Sequence, residues 1–270
     1  MANTTSLTTL KSYFSKEQAQ NNLRAMLGQK ASGFATSVLS LVNNNKLLQN
    51  AEPETIYSAA MVAASLDLPI QPSLGFAAIV PYGRLAQFQV MTKGLLQLAI
   101  RSGQYERITN AIVHEGELVK YDPFKDEYIF DATKKKSDTV IGFVAYFRTV
   151  GGYEKYYYMT KEEALAHGRR YSKTFNNGTW KENPDAMCLK TVLKLLLSKY
   201  GILSIEMQRA IKFDQGVAKG DFSQMESVED IDAVEVEYVD NPQNDSAAVD
   251  EQKAQQVADK FANFNNEPKQ

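Results

Sequence analysis

The chain has 270 residues, 44% of them hydrophobic, enough to bury one sizeable core with an appendage. No apolar run reaches membrane-spanning length, the opening MANTTSLTTLKSYFSKEQ has no apolar signal core, and the single cysteine, Cys188, cannot form an internal disulfide. The net charge of −2 conceals a division: residues 1–215 hold 26 Lys and Arg against 19 Asp and Glu, whereas residues 216–270 hold 4 against 13. A basic body with an acidic tail suits a polyanion-binding domain carrying a tethered segment, although a neutral protein with a soluble tail has the same balance. Cys188 sits in a helical apolar pattern and reads as a buried structural thiol, and a reducing, cytoplasmic setting fits.

Residues 1–13 are polar and read as frayed. Ser15 with Gln18 makes a capping box for a helix through Leu27. A second helix, Ala31 to Asn43, carries Phe34, Val38, Leu39 and Val42 on one face. A third, Pro53 to Leu66, begins with Pro in its first turn and stops before Asp67 and Pro69. Residues 1–66 therefore read as an N-terminal helical lobe, of the kind that packs against a neighbouring copy in an assembling protein.

Residues 69–103, PIQPSLGFAAIVPYGRLAQFQVMTKGLLQLAIRSG, read as strand, tight turn, strand and short helix. Tyr82 and Gly83 turn the chain into RLAQFQV, the second strand. In the second strand Ala86, Phe88 and Val90 point one way, Gln87 and Gln89 the other. The helix turns Leu95, Leu96, Leu98 and Ala99 to a core and lines Lys93, Gln97 and Arg101 on a polar face. A helix start prefers acids, yet this first turn holds Lys93 and no carboxylate. That is poor for the helix and good for a bound phosphate, with a solvated lysine as the plain alternative.

Strands are expected at Thr109–Val119, Tyr128–Asp131, Val140–Thr149 and Tyr153–Met159, the last two joined by a Val150-Gly151-Gly152 hairpin turn. Thr160 and Glu163 form a capping box for a helix through about His167. The run GRRYSKTFNNGTW, residues 168–180, interleaves Arg169, Arg170 and Lys173 with Tyr171 and Phe175 and with Ser172, Thr174 and Asn176. That mixture matches the needs of a phosphate backbone and unstacked bases, and it would also suit a flexible surface loop. Asn183-Pro184 starts a helix to about Tyr200, with Met187, Val192, Leu195 and Leu196 as its core face and Lys190 and Lys194 as a four-spaced basic pair beside it. A last ordered helix runs from Ser204 to Gln215. Beyond Gly216 an acidic, weakly apolar linker is expected to be disordered, and Ala254, Val257, Phe261 and Phe264 fall on one helical side, which suits either a small partner-docking helix or one that forms only on binding.

Chemistry does not organise this sequence. There is no G-x-x-x-x-G-K-[ST] loop, and His114 and His167 have no metal-ligand spacing with Cys188. Asp122 and Asp126 could be drafted into a two-metal nuclease, but no clustered motif surrounds them. No catalytic residue, metal or cofactor is expected.

The run LPIQPSLGFAAIVPYGRLAQFQVMTKGLLQLAIRSG, with its VPYG turn, Q-x-Q strand and K-G-L helix start, resembles the RecT family of phage single-strand annealing proteins. The later HGRRYSK, Trp180 and DAMCLKTVLKLLLSKYG resemble that family's second block, in order and spacing. The resemblance spans about Leu66 to Ser204. It implies an ATP-independent recombinase that coats single-stranded DNA, anneals it to a complementary strand and keeps hold of the duplex. It also implies rings or helical filaments and work beside a phage exonuclease. The implied fold is α+β, a small antiparallel sheet packed on a long helix with a groove for DNA. Three regions follow: the helical lobe 1–66, a DNA-binding and oligomerisation core 67–215, and the acidic tail 216–270, which could recruit the exonuclease or the host single-strand-binding protein.

Charge and placement, rather than family, select the expected contacts. Lys93, Arg101, Arg169, Arg170, Lys173, Lys190 and Lys194 would neutralise phosphates. Gln87, Gln89, Ser172, Thr174 and Asn176 would position the backbone, Tyr82, Tyr171 or Phe175 would stack or wedge against bases, and Arg84 is a further expected nucleic-acid contact. The competing readings are a metal-dependent DNA nuclease and a phage nucleic-acid-binding protein that does not anneal.

Overall fold

The computed structural model of the chain describes residues 2–238, apart from 123, 173, 223, 224, 226 and 228. Residues 1–13, expected to be frayed, instead form most of the first helix, α1 (Ala2–Ser15), because Leu10 and Phe14 are buried. Phe14 meets Tyr57 edge-on at 5.1 Å. Helix α2 (Glu17–Leu27) starts without the expected capping box. Ser15 Oγ donates back to the Lys11 carbonyl, and Gln18 Nε2 donates to the Met225 carbonyl. A 3-10 turn (Gly28–Lys30), α3 (Ala31–Asn43) and α4 (Lys46–Gln49) lead to α5 (Pro53–Ser65), whose residues 55–64 are all buried. Pro53 occupies the first turn, where its missing N–H is not needed.

The hairpin β1 (Ala77–Tyr82) and β2 (Leu85–Val90) is antiparallel, with Ala77 opposite Val90 and Tyr82 opposite Leu85. Gly83 takes the left-handed backbone that the two-residue turn requires. Helix α6 (Thr92–Arg101) follows directly. A side chain at Gly94 would collide with the Phe76 carbonyl, so the helix start and the approach to β1 can touch only through glycine.

The main sheet is β3 (Tyr105–His114), β6 (Val140–Thr149) and β7 (Glu154–Thr160), antiparallel in the order β3-β6-β7. The strand expected over residues 109–119 is in fact two. His114 N–H donates to the Glu117 carboxylate at 2.7 Å, Gly116 turns with positive φ, and β4 (Leu118–Asp122) leaves to pair with β5 (Glu127–Phe130). Helix α7 (Lys161–Tyr171) opens on the expected Thr160–Glu163 capping box and runs four residues past His167. After α8 (Gly178–Glu182), the long helix α9 (Pro184–Tyr200) lies across the sheet. Its Val192, Leu193, Leu196 and Leu197 belong to the same core as Phe143, Ala145 and Phe147 of β6. This is the mixed α+β arrangement expected, a small antiparallel sheet on a long helix.

The fold does not stop at Gly216. After α10 (Ile205–Phe213), β8 (Val217–Lys219), α11 (Asp230–Ala233) and β9 (Glu235–Glu237) fold back on the body. Phe222, Ile231 and Val234 are buried, and Arg209 makes a two-pronged pair with Asp232 at 2.7 Å on each arm. Acids that read as disordering are here spent on internal cations. The expected docking helix near residues 248–264 lies outside the described residues.

Candidate nucleic-acid interface

A cleft of about 400 Å³ is closed by α7, Trp180 of α8, α9, the last turn of α10 and residues that follow it. Gly168 on α7 makes it possible. A Cβ at that position would lie 2.5 Å from the Trp180 ring, so only glycine lets the indole seat against the helix. Ser172, just past α7, is buried and shares a 3.0 Å hydrogen bond with Thr174.

Two lysines one helical turn apart on α9 form the floor. Lys194 Nζ donates to the Asp214 carboxylate at 2.6 Å, and Lys190 Nζ stands 3.6 Å from its other oxygen. Asp214 ends α10 and also accepts the Val90 N–H at 3.0 Å, which ties β2 to this site across 124 residues of sequence. Burial alone would raise the Asp214 carboxyl. The Lys190 and Lys194 ammonium groups, with the Lys194 and Val90 hydrogen bonds, overcome it and hold the group below the ordinary carboxylate range. Burial pulls Lys190 below the usual lysine range in spite of Asp214, and Lys194 adds to the pull. His167 lines the same cleft and is lowered to about 4, first by burial and then by Lys194, Lys199 and Arg170. At neutral pH it is an uncharged imidazole.

Over this floor runs an exposed cationic rim. Arg169 and Arg170 both face solvent; Arg169 lies 5.6 Å from the Phe175 ring centre and Arg170 5.2 Å from that of Tyr171. Phe175 in turn sits 5.3 Å from Trp180, and Asn176 is exposed beside it. Among the described residues, no carboxylate pairs with Arg169 or Arg170. Such planar cations over rings offer phosphate contact and stacking from one surface.

The structure thus brings together Arg169, Arg170, Tyr171, Ser172, Thr174, Phe175, Lys190 and Lys194, while Lys173 lies outside the described residues. Several placements differ from expectation. Lys190 is buried rather than part of an exposed stripe, since α10 and Asp214 cover that side of α9. Gln87 does not face solvent: it is 1% exposed, and neither atom of its amide has a hydrogen-bond partner. The free edge of β2 is covered instead by Gln215, whose N–H donates to the Phe88 carbonyl, and by the Phe88–Gly216 bridge. Arg101 closes the C-terminal end of α5, donating to the carbonyls of Leu66 and Asp67, so its charge is engaged with helix carbonyls. Arg84, at the hairpin tip, lies 3.6 Å from Glu52. Tyr82 and Gln89 are half-buried, and Lys93 is exposed in the first turn of α6, without an ion pair among the described residues.

Sequence reasoning missed Asp214, Trp180 as a wall, Gly168 and Tyr238. A glycine inside the helical pattern before Arg169 was a usable signal of close approach. Nothing local marks Asp214. Among the described residues no three His, Cys, Asp or Glu side chains gather where a metal could be held, and burial pushes the Cys188 thiol up to about 11.

A family model described as the RecT family matches residues 32–233, a span that includes the residues lining the cleft apart from Tyr238. The chain is 47% identical over 203 residues to an uncharacterized protein, YqaK, of Bacillus subtilis (strain 168), covering 75% of this chain and 71% of that one. It is 29% identical over 210 residues to Protein RecT of Escherichia coli (strain K12), covering 74% and 76%.

Proposed function

This chain belongs to the RecT family, a membership that carries single-stranded DNA binding and a role in annealing and recombination, and from that premise we propose that it anneals strands without ATP, as an oligomer. The observation that supports this reading is the Arg169–Arg170 rim, which has no described acid to neutralise it and lies against Tyr171 and Phe175. Copies of the rim, with Lys93 and Lys173, lay a cationic track along one strand. Ser172, Thr174 and Asn176 supply short polar contacts to the backbone. Holding the sugar-phosphate chain leaves base edges open, so complementarity selects the partner strand, and the free energy of pairing drives the reaction.

On this reading the chain is not an enzyme. The helical lobe over residues 1–66 contacts neighbouring copies, and the acidic end recruits an exonuclease or a single-strand-binding protein. No helix among the described residues is long and apolar enough to cross a membrane. The test is pairing of complementary oligonucleotides by the purified protein in EDTA with no nucleotide. Acceleration under those conditions is the expected result; pairing that requires ATP, or magnesium-dependent cleavage that tracks the protein, overturns it.

A further inference from the structure

The floor of the cleft holds more positive charge than its own carboxylate balances. Lys190, Lys194 and Lys212 line it, and among the described lining residues Asp214 is the sole acid. Lys212 is turned to a backbone oxygen, that of Asp232. Lys194 takes the close hydrogen bond to Asp214, which leaves Lys190 at 3.6 Å from the same group, outside good hydrogen-bond distance. Lys190 is only 5% exposed, so water does little to solvate its three N–H donors. Buried ammonium groups persist when they are paired, and two of them against one carboxylate leave a unit of positive charge over. Beside that surplus stand the Ser172 hydroxyl, the Tyr171 and Trp180 rings and an uncharged His167, and a space at the small end of ligand pockets.

We propose that this cleft is an oxyanion site that takes one phosphate group, with Lys190 as its principal counter-charge and Lys194, anchored by Asp214, as the second. The proposal deepens the single-stranded DNA reading: the arginine rim tracks the strand outside, and the recess takes one phosphate from it. The same chemistry would admit an internal phosphodiester or a phosphate at a strand end.

Trp180 is the only tryptophan in the chain and lines the cleft, so its emission reports on occupancy. Full-length protein is titrated with inorganic phosphate against chloride at constant ionic strength, following Trp180 emission and the melting temperature. Lys190→Met is the variant, because it leaves a one-to-one Asp214–Lys194 pair in place. The expected result is a saturable emission change and a rise in melting temperature in the parent protein, with affinity lower by about tenfold or more in the variant. An unresponsive parent protein, or the same response in both, overturns the site. Should the variant not fold, Lys190→Gln replaces it, and the parent titration stands as a test by itself. Oligonucleotides with a 5′-phosphate and a 5′-hydroxyl then assign the source. Tighter Lys190-dependent binding of the phosphorylated strand places a terminus in the cleft, equal Lys190-dependent binding places a phosphodiester there, and binding of both that ignores Lys190→Met overturns a DNA phosphate in the cleft. Annealing is measured on the same samples: a phosphate response without any annealing by the parent protein removes the proposed function and leaves the site.

Discussion

Taking away the Asp214 carboxylate would leave two ammonium groups facing each other in a space with little water. Asp214→Asn keeps the shape and removes the charge, and breaking a buried pair from one side costs about 3–5 kcal/mol. Urea denaturation should show that loss, and a smaller one for Lys190→Met, which removes the surplus charge instead of its balance. Equal losses would contradict this division of roles. His167 sets a pH dependence. Its folded value, about 4, lies below the ordinary histidine value of 6.5, so the unfolded chain binds more protons between those limits. This contribution is therefore whole above pH 6.5 and falls away as pH drops towards 4. It amounts to no more than about 3 kcal/mol, reduced by solvent at the cleft mouth. In His167→Phe that part of the slope should vanish from a pH series of melts. Gly168→Ala pushes a methyl against Trp180 and should cost about 1–3 kcal/mol, with a shift in tryptophan emission to locate the damage.

Among the elements, the segment after α10 and the end of α7 behave differently from their composition. Residues 217–238 are acidic, yet β8 packs beside β2 and α5, and Phe222, Ile231 and Val234 are buried. Ending the chain after Gln215 should cost roughly 5 kcal/mol, the scale of three buried apolar side chains, whereas ending it after Tyr238 leaves this packing in place. Equal melting temperatures for the two truncations would contradict the role given to β8 and β9. At the end of α7, replacing Arg169 and Arg170 with Ala should weaken single-stranded DNA binding for all sequences. Each lost phosphate contact should flatten the salt dependence by about 0.7 in log–log slope. An unchanged slope would remove the rim from the DNA path.

For the whole molecule, the uneven charge matters more than its sum. Residues 1–215 are basic, the acids of residues 216–238 bring residues 1–238 to 27 Lys and Arg against 26 Asp and Glu, and residues 239–270 carry six acids against three lysines, so much of the acidity behind the sequence isoelectric point of about 5.8 lies towards the C-terminal end. Removing residues 239–270 should speed association with single-stranded DNA at low salt, and the gain should disappear as salt screens it. Stopped-flow measurement across ionic strength checks this; a gain that persists at high salt would mean direct competition for the binding surface.

Local rules sufficed wherever neighbours in sequence are also the partners in space. Pro53 at a helix start, the Thr160–Glu163 box, the Tyr82–Gly83 and Gly151–Gly152 turns and the Asn183 cap of α9 were all legible, because each is made within a few residues. The two blocks that carry the family resemblance were legible for the same reason. What the sequence concealed is which charges are free. Lys190, Lys194 and Arg101 look like Arg169 and Arg170 in a string of letters, yet Asp214 and the α5 carbonyls claim the first three from 20 to 35 residues away. Gln87 alternates as an outward residue, yet it is buried in the packed chain, and its neighbour Phe88 pairs through its backbone with Gln215 and Gly216, more than 120 positions later. Periodicity specifies which residues share a face, but only the packed chain decides whether that face meets water, a counter-charge or another part of itself.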